Sequence, residues 1–101
     1  WWNIRETNTL NTAVAREAAD ERHICPLQLD FIERCVRLWS NPGETVLSPF
    51  AGIGSEVYTA VKLGRRGVGI ELKPSYWRTA VDNCTRIEAE VSAPTLFEVT
   101  A

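Results

Sequence analysis

Residues 48–55 constrain this chain most, because they form a short glycine loop between two stretches of different periodicity. The loop reads S-P-F-A-G-I-G-S. Residues 45–47 before it are apolar and partly β-branched, as in a strand, and residues 56–63 after it repeat apolar side chains at helical spacing. Two glycines one residue apart permit a tight turn and let a ligand approach bare backbone, while Gly54 and Ser55 would leave free N–H groups at a helix start. The sequence predicts a nucleotide-type site where a strand meets a helix.

A second strand is predicted at residues 67–71, and it ends on an acid, Glu71. In βαβ nucleotide-binding folds an acid at this point binds the ribose hydroxyls. The third glycine of the dinucleotide pattern is replaced by Val57, which argues against NAD, and no G-K-[ST] follows to cradle the phosphates of ATP. The glycine pair alone could be a structural turn, but the flanking strand, helix and acid favour a ligand that contains a nucleoside.

Upstream of the loop, apolar residues at i, i+3 and i+4 predict a helix with Pro26 in its first turn. The pairs Asp30–Arg34 and Glu33–Arg37 fall at i, i+4 on its solvated face, where they would form ion pairs. The apolar face comprises Phe31, Ile32, Cys35, Val36 and Trp39.

The helix after the glycine loop is expected to end at Gly64 in the left-handed conformation, with Arg65 and Arg66 in a surface turn. Pro74 opens a last helix, and residues 92–101 read as a tail in which residues 96–99 could form a short strand. The apolar face of that last helix comprises Trp77, Ala80, Val81, Cys84, Ile87 and Val91. The order of elements predicts an α/β fold with an open, mainly parallel sheet and flanking helices.

Composition narrows the class of protein. A chain of 101 residues has room for one small domain, and its net charge of −2 lacks the basic excess of a nucleic-acid surface. Three cysteines and one histidine, without a C-x-x-C pair, fit neither a disulfide framework nor a zinc site, so we expect reduced thiols in a cytosolic protein and no metal. No run of eighteen apolar residues predicts a membrane span. Because the chain contains no methionine, we expect it to begin within a longer protein.

Together these motifs resemble those of the S-adenosylmethionine-dependent DNA amino-methyltransferases, which modify adenine N6 or cytosine N4. The cofactor loop of that family reads roughly D-P-F-x-G-x-G-[ST], and residues 48–55 match it at all but the first place. Its ribose motif, G-x-[ED], is matched by residues 69–71. In the β arrangement, a motif that begins with histidine leads into a helix just before the loop, as residues 23–29 do. The resemblance runs from about Trp2 to Cys84, is strongest to phage-type members, and implies a partial Rossmann-like methyltransferase fold.

The resemblance implies S-adenosyl-L-methionine as the cofactor and gives roles to individual residues. Glu71 would accept the ribose hydroxyls, and residues 24–27 would pack or hydrogen-bond near the methionine end, chiefly through their backbone. The residues that would line the cofactor are Cys25, Pro26, Leu27, Ser48, Phe50, Gly52, Gly54, Ser55 and Glu71.

Two departures from the family pattern matter. Most members have an acid where this chain has Ser48, and a serine can hydrogen-bond the cofactor's ammonium group but offers it no charge. Glu56 is our hypothesis for the residue that supplies the charge. The second departure is the catalytic motif, [DNS]-P-P-[YFW], which holds the target base. None of the five prolines are adjacent, so this chain has no such motif and no assigned catalytic residue.

Three interpretations follow. In the first, the chain is the C-terminal, cofactor-binding part of a site-specific DNA methyltransferase, and double-stranded DNA binds an N-terminal part that lies upstream. In the second, it is a non-catalytic remnant that serves in binding or assembly. The third, another Rossmann-like nucleotide binder such as half of a dehydrogenase, requires the three-motif match to be coincidental. We also expect self-association through an exposed sheet edge, and action in the cytoplasm of a bacterium or a phage-infected host, as in restriction-modification.

Overall fold

Three helices and two strands alternate along the chain in the predicted order. They are α1 (Leu29–Trp39), β1 (Thr45–Ser48), α2 (Ser55–Lys62), β2 (Arg66–Gly69) and α3 (Pro74–Ser92). This computed structural model describes residues 2–10 and 26–93. Residues 23–25 of the histidine motif, including Cys25, and residues 94–101 of the predicted tail lie outside the described residues. In the described ranges, no helix is long and apolar enough to cross a membrane.

The sheet consists of β1 and β2, which pair in parallel. Val46 lies opposite Gly67, and Ser48 lies opposite Gly69. Helix α2 connects the two strands and packs against both, and it also contacts α1 on one side and α3 on the other. The predicted α/β class, with a parallel sheet and flanking helices, is confirmed. β2 ends at Gly69, so the predicted strand over residues 67–71 is two residues too long at its carboxyl end.

Glycines in β2 allow α2 to lie close to the sheet. A Cβ atom on Gly67 would lie 2.6 Å from Cγ1 of Val57, and one on Gly69 would lie 2.9 Å from Cγ2 of the same side chain. Glycine in a strand interior is typical of sites where another backbone approaches closely. The face of β2 at Gly67 and Gly69 is therefore turned towards α2, and the side chain of Val68 lies on the opposite face.

An N-terminal segment, residues 2–10, is joined to the start of α1. The backbone N–H of Leu29 donates to the carbonyl oxygen of Asn8 at 2.8 Å, so the segment satisfies a donor that the first turn leaves free. Helix α1 starts there, at Leu29, and the prediction of Pro26 in its first turn is wrong. Asp30 accepts hydrogen bonds from Arg5 Nη2 at 2.9 Å and from Asn8 Nδ2 at 3.0 Å.

Of the two ion pairs predicted on α1, one is confirmed. Arg37 lies 3.1 Å from Glu33. Asp30 instead binds Arg5, whose guanidinium and backbone N–H hold the pKa of Asp30 well below its usual range. Arg34 instead donates to Asn3 Oδ1 at 2.6 Å. The prediction failed because the partners come from a segment more than twenty residues away.

The connection from α2 to β2 is partly as predicted. Gly64 follows α2 with a φ of +82°, which confirms the left-handed cap. Arg65 is buried, so its prediction as a surface residue is wrong. Its guanidinium donates to Ser40 Oγ at 3.0 Å, to the Ser40 carbonyl oxygen at 2.8 Å and to the Leu63 carbonyl oxygen at 2.7 Å. Arg65 thereby joins the carboxyl ends of α1 and α2.

The apolar faces of α1 and α3 are only partly covered. Ile32 and Val36 of α1 and Ala80 and Ile87 of α3 are buried, as predicted. The aromatic residues at the predicted apolar positions are exposed: Phe31, Trp39 and Trp77. The interior also holds residues from outside the helices, because Leu10 and Ile53 pack together with Leu29, Tyr58 and Tyr76.

Candidate functional site

The glycine loop, residues 49–54, joins the carboxyl end of β1 to α2, as predicted. Gly52 has a φ of +57° and Gly54 a φ of +92°, in the left-handed region that side chains rarely adopt. Around Gly52 there is open space, because a Cβ atom there would meet nothing within 4 Å. At Gly54 a Cβ atom would lie 3.2 Å from Ala80 Cβ. The backbone is thus open to a ligand at Gly52, whereas Gly54 is needed for the close approach of α3.

Two hydrogen bonds and one apolar contact hold the loop in one conformation. The N–H of Ala51 donates to the Ile70 carbonyl oxygen at 2.8 Å, which extends the ladder beyond the ends of the strands. Asn83 of α3 donates through Nδ2 to the Ile53 carbonyl oxygen at 3.0 Å. Ile53 itself is buried and packs on Leu10. Contacts with β2, α3 and Leu10 therefore fix the conformation of the loop.

Glu71 lies two residues after β2 and faces the loop. Its Oε1 accepts the backbone N–H of Gly52 at 2.8 Å, and its Oε2 accepts the backbone N–H of Lys73 at 2.8 Å. A carboxylate oxygen has two lone pairs, so each can accept one further hydrogen bond. Glu71 can therefore support the loop and accept hydroxyl groups of a ligand simultaneously.

On the other side of the loop, Ser48 and Glu56 lie together. Ser48 ends β1 and is buried, and Glu56 is in the first turn of α2. Ser48 Oγ donates to Glu56 Oε2 at 3.5 Å, the outer limit of a hydrogen bond. The pair combines a hydroxyl with a carboxylate at the carboxyl edge of the sheet.

Two hollows adjoin the loop. A cavity of about 120 Å³ between the loop, β2 and α3 is lined by Gly54, Glu71 and Trp77, among others. A groove of about 440 Å³ between α1 and β1 is lined by Leu27, Ser48 and Glu56, with Phe31 and Trp39 along α1. The predicted site residues are thus divided: one hollow adjoins Glu71, and the other brings Leu27 next to the Ser48–Glu56 pair.

The remaining predicted site residues differ in exposure. Phe50 is 87% exposed, so it is free to contact a ligand and is not a core residue. Pro26 is half-buried, and Ser55 is buried in the first turn of α2. Cys25 lies outside the described residues. Within the described ranges, no group of three His, Cys, Asp or Glu side chains could hold a metal ion.

Two residues that fix the loop were missed at the sequence level, Ile53 and Asn83. Ile53 is 2% exposed although both its neighbours are glycines. An apolar residue between two glycines could have predicted that its side chain is buried. Asn83 is buried one residue before Cys84, on the apolar side of α3. A polar residue within an apolar helical face indicates a buried hydrogen bond, which here fixes the loop.

Cys84 lines the cavity next to Gly54. Burial raises the pKa of its thiol above the ordinary value, and the nearby carboxylate of Glu88 raises it further. A raised pKa leaves less of the nucleophilic thiolate at neutral pH. The environment of Cys84 is therefore that of a packing residue.

Comparison with known proteins gives a consistent result. A family model described as DNA methylase matches residues 1–82. The type II methyltransferase M1.MboII of Moraxella bovis is 43% identical over 54 residues, which are 54% of this chain and 21% of that protein. The type II methyltransferase M.ScaI of Streptomyces caespitosus is 37% identical over 84 residues, 81% of this chain and 27% of that protein. The chain therefore spans about a quarter of the length of these curated relatives.

A solved structure has the same local fold. It is a candidate DNA modification methylase from Thermus thermophilus in complex with S-adenosyl-L-methionine. The TM-score is 0.59 at 32% sequence identity, and the match covers 74% of this chain and 36% of that one.

Proposed function

Because this chain belongs to the N6/N4 DNA methylase family, we propose that it binds the methyl donor S-adenosyl-L-methionine for methylation of DNA. The family model covers four-fifths of the chain, and a similar solved structure contains this ligand. The parent enzyme would methylate the exocyclic amino group of adenine (N6) or cytosine (N4). It would do so in a bacterium or a phage-infected cell, as in restriction-modification.

The observation that carries this proposal is the hydrogen bond from the Gly52 N–H to Glu71 Oε1, at 2.8 Å. It holds the glycine loop and the acid together at the edge of the sheet where nucleotide ligands bind in parallel α/β folds. Open space at Gly52 and unused lone pairs on Glu71 suit the hydroxyls of a ribose. These groups fit the nucleoside part of the donor.

Within this site each residue has one task. Glu71 would accept the ribose hydroxyls, and the exposed ring of Phe50 would cover an apolar part of the donor. Cys25, Pro26 and Leu27 would contact its methionine end through their backbone. When bound, S-adenosyl-L-methionine supplies an electrophilic methyl group on a sulfonium. The contribution of this chain is to fix the position of that methyl group, since positioning is a large part of catalysis in such transfers.

The acceptor side of the reaction is assigned to residues beyond these 101. The family's [DNS]-P-P-[YFW] motif does not occur in the sequence, and the net charge is −2. We therefore propose that a base-holding motif and a basic surface for DNA lie elsewhere in the parent protein.

Calorimetric titration with S-adenosyl-L-methionine tests the proposal. We expect binding by the wild type and by Glu90→Ala, an exposed acid near the carboxyl end of α3, and a loss of roughly tenfold or more in Glu71→Ala. Glu71→Ala also removes the acceptors for the N–H groups of Gly52 and Lys73, so a thermal melt of the variant tests whether the loop is still folded.

A ligand that lacks both ribose hydroxyls sharpens the test. The wild type should bind a 2′,3′-dideoxy analogue more weakly than the natural donor, and Glu71→Ala should bind both equally. A wild-type chain that binds neither ligand contradicts the proposed function. If Glu71→Ala still distinguishes the two ligands, the assigned role of Glu71 is wrong.

A second function, a non-catalytic assembly module, is favoured by one observation. Leu47, Val68 and Ile70 on the face of the sheet opposite α2 are each more than 40% exposed. An open apolar face beside unpaired strand edges favours self-association.

Sedimentation distinguishes the two functions. The wild type should form dimers or larger species as its concentration rises, and the double variant Val68→Thr/Ile70→Thr should remain monomeric. A wild type that stays monomeric at high concentration contradicts the assembly role. A D-P-P-Y-like motif encoded upstream would favour the enzyme.

A further inference from the structure

The pair Ser48–Glu56 lies at the carboxyl end of β1, on either side of the glycine loop. Ser48 is 8% exposed at the end of β1, and its hydroxyl lies 3.5 Å from Glu56 Oε2. The serine provides a hydrogen-bonding group at the end of the strand, but no charge. The carboxylate comes from the first turn of the next helix.

The charge of Glu56 is available to a ligand. No lysine or arginine of the described residues forms an ion pair with it. The other acid that lines the groove, Glu44, already accepts hydrogen bonds from the backbone N–H and the Nδ2 of Asn41. Of the two acids, Glu56 is the one that lies beside Ser48 at the end of β1, whereas Glu44 is bound to the turn before that strand.

The walls of the groove fit an aliphatic chain that ends in an ammonium group. Leu27, Phe31 and Val46 supply apolar surface, and Ser48 and Glu56 supply the polar groups. The volume, about 440 Å³, is enough for a short flexible chain. A carboxylate hydrogen-bonded in such surroundings gives a charge-assisted contact, roughly twice as strong as a neutral one.

We propose that Glu56 binds the α-ammonium group of the methyl donor, and that Ser48 Oγ orients the Glu56 carboxylate. This inference rests on the proposed function. It makes the pair a replacement for the single acid that the family motif has at the end of this strand. Glu56 is the binding residue, and Ser48 is a positioning residue.

The test compares ligands that differ in the amino-acid part and in the charge on sulfur. S-adenosyl-L-methionine carries the ammonium group and the sulfonium, S-adenosyl-L-homocysteine carries the ammonium group on a neutral thioether, and 5′-methylthioadenosine has the nucleoside with neither charge. If the ammonium group is what Glu56 binds, Glu56→Gln should weaken the first two alike. Glu56→Gln keeps the shape of the side chain and removes the charge. We expect Glu56→Gln to weaken binding of S-adenosyl-L-methionine by about tenfold or more, and of 5′-methylthioadenosine by less than about twofold. Glu90→Gln, near the exposed carboxyl end of α3, is the matched control.

A second variant tests whether the charge can be moved. Ser48→Asp combined with Glu56→Gln puts the carboxylate on the strand, and we expect it to recover most of the lost affinity. Ser48→Ala alone should weaken S-adenosyl-L-methionine by a few-fold only, because it removes the orienting hydroxyl and leaves the charge.

The outcomes separate the inference from the proposed function. If the wild type binds all three ligands and Glu56→Gln binds S-adenosyl-L-methionine as tightly as the wild type does, the inference is overturned and the proposed function stands. If Glu56→Gln weakens all three ligands equally while its melting temperature is unchanged, the ammonium assignment is also overturned. If the wild type binds none of the ligands, both proposals are overturned.

Discussion

The two faces of the sheet use opposite kinds of side chain. Towards α2, strand β2 presents Gly67 and Gly69, and Val57 of the helix fills the space that their side chains would occupy. The face of the sheet away from α2 carries Leu47, Val68 and Ile70, the last of them just beyond β2, and all three are substantially exposed. The close contact between α2 and β2 depends on the absence of side chains at the two glycines. The larger apolar residues lie on the opposite, exposed face. Hydrophobicity alone therefore does not identify the covered side of this sheet.

The largest expected effect comes from filling the covered face. Gly67→Ala puts a Cβ atom 2.6 Å from Val57 Cγ1 and 3.0 Å from the Val57 carbonyl oxygen, so helix or strand must move. We expect urea unfolding to show a loss of about 3 kcal/mol in the free energy of unfolding. Val68→Ala, the adjacent residue on the open face, should lose less than about 1 kcal/mol. Equal losses of stability for the two substitutions would show that the packing of α2 on the sheet does not depend on the absence of a side chain at Gly67.

The second-largest loss of stability is expected in the glycine loop, which follows the face of the sheet that α2 covers. Gly54→Ala combines a φ of +92° with a contact of 3.2 Å to Ala80 Cβ, whereas Gly52→Ala has only the positive φ, at +57°. We expect losses of about 2 kcal/mol for Gly54→Ala and about 1 kcal/mol for Gly52→Ala in the free energy of unfolding, measured with urea. A larger loss for Gly52→Ala would mean that α3 does not limit the space at Gly54.

A substitution on the helix that covers the sheet should stabilise the protein. Thr59 of α2 is 2% exposed, and its Oγ1 has no hydrogen-bond partner among the described residues. Thr59→Val replaces the hydroxyl with a methyl group of similar size, so we expect the free energy of unfolding to rise by about 1 kcal/mol. Asn83→Ala, which removes a satisfied group, is the control and should lower it. A loss of stability in Thr59→Val would indicate that the hydroxyl is hydrogen-bonded.

The smallest effect is expected outside the sheet, at the Arg5–Asp30 pair. Arg5 holds the pKa of Asp30 well below its usual range, so the charged carboxylate stabilises the folded state. This contribution is fully present above the unfolded pKa, roughly 4. It is lost progressively as the pH falls from there through the folded pKa. Asp30→Asn should therefore be less stable than the wild type at pH 7, and the difference should shrink below roughly pH 4 in urea unfolding at each pH. A difference independent of pH would exclude the charge as its cause.

Local sequence rules predicted the elements whose determinants are local. The β1 strand, the start of α3 at Pro74 and the left-handed Gly64 each depend on residues within one turn of chain. The motif resemblance also brought Gly52 and Glu71 into one predicted site, and the structure joins them by a hydrogen bond.

What could not be predicted depends on distant partners. Asp30 binds Arg5, and Arg65 is buried against Ser40, twenty-five residues away in each case. Helical periodicity correctly put Trp39 with the apolar residues of α1, but it does not say what covers that face, and Trp39 is 74% exposed. Neighbours in sequence define a face, and only the fold defines what lies against it.

Arg65 links the unfolding of α1 to the unfolding of α2. Its guanidinium binds Ser40 after α1 and Leu63 after α2, so the final turns of both helices share one set of hydrogen bonds. Separating the helices would leave a buried charge without its acceptors, which is costly. The two helices should therefore unfold as one cooperative unit. In native-state hydrogen exchange, their slowest amides should share a single opening free energy, and replacing Arg65 should separate it into two.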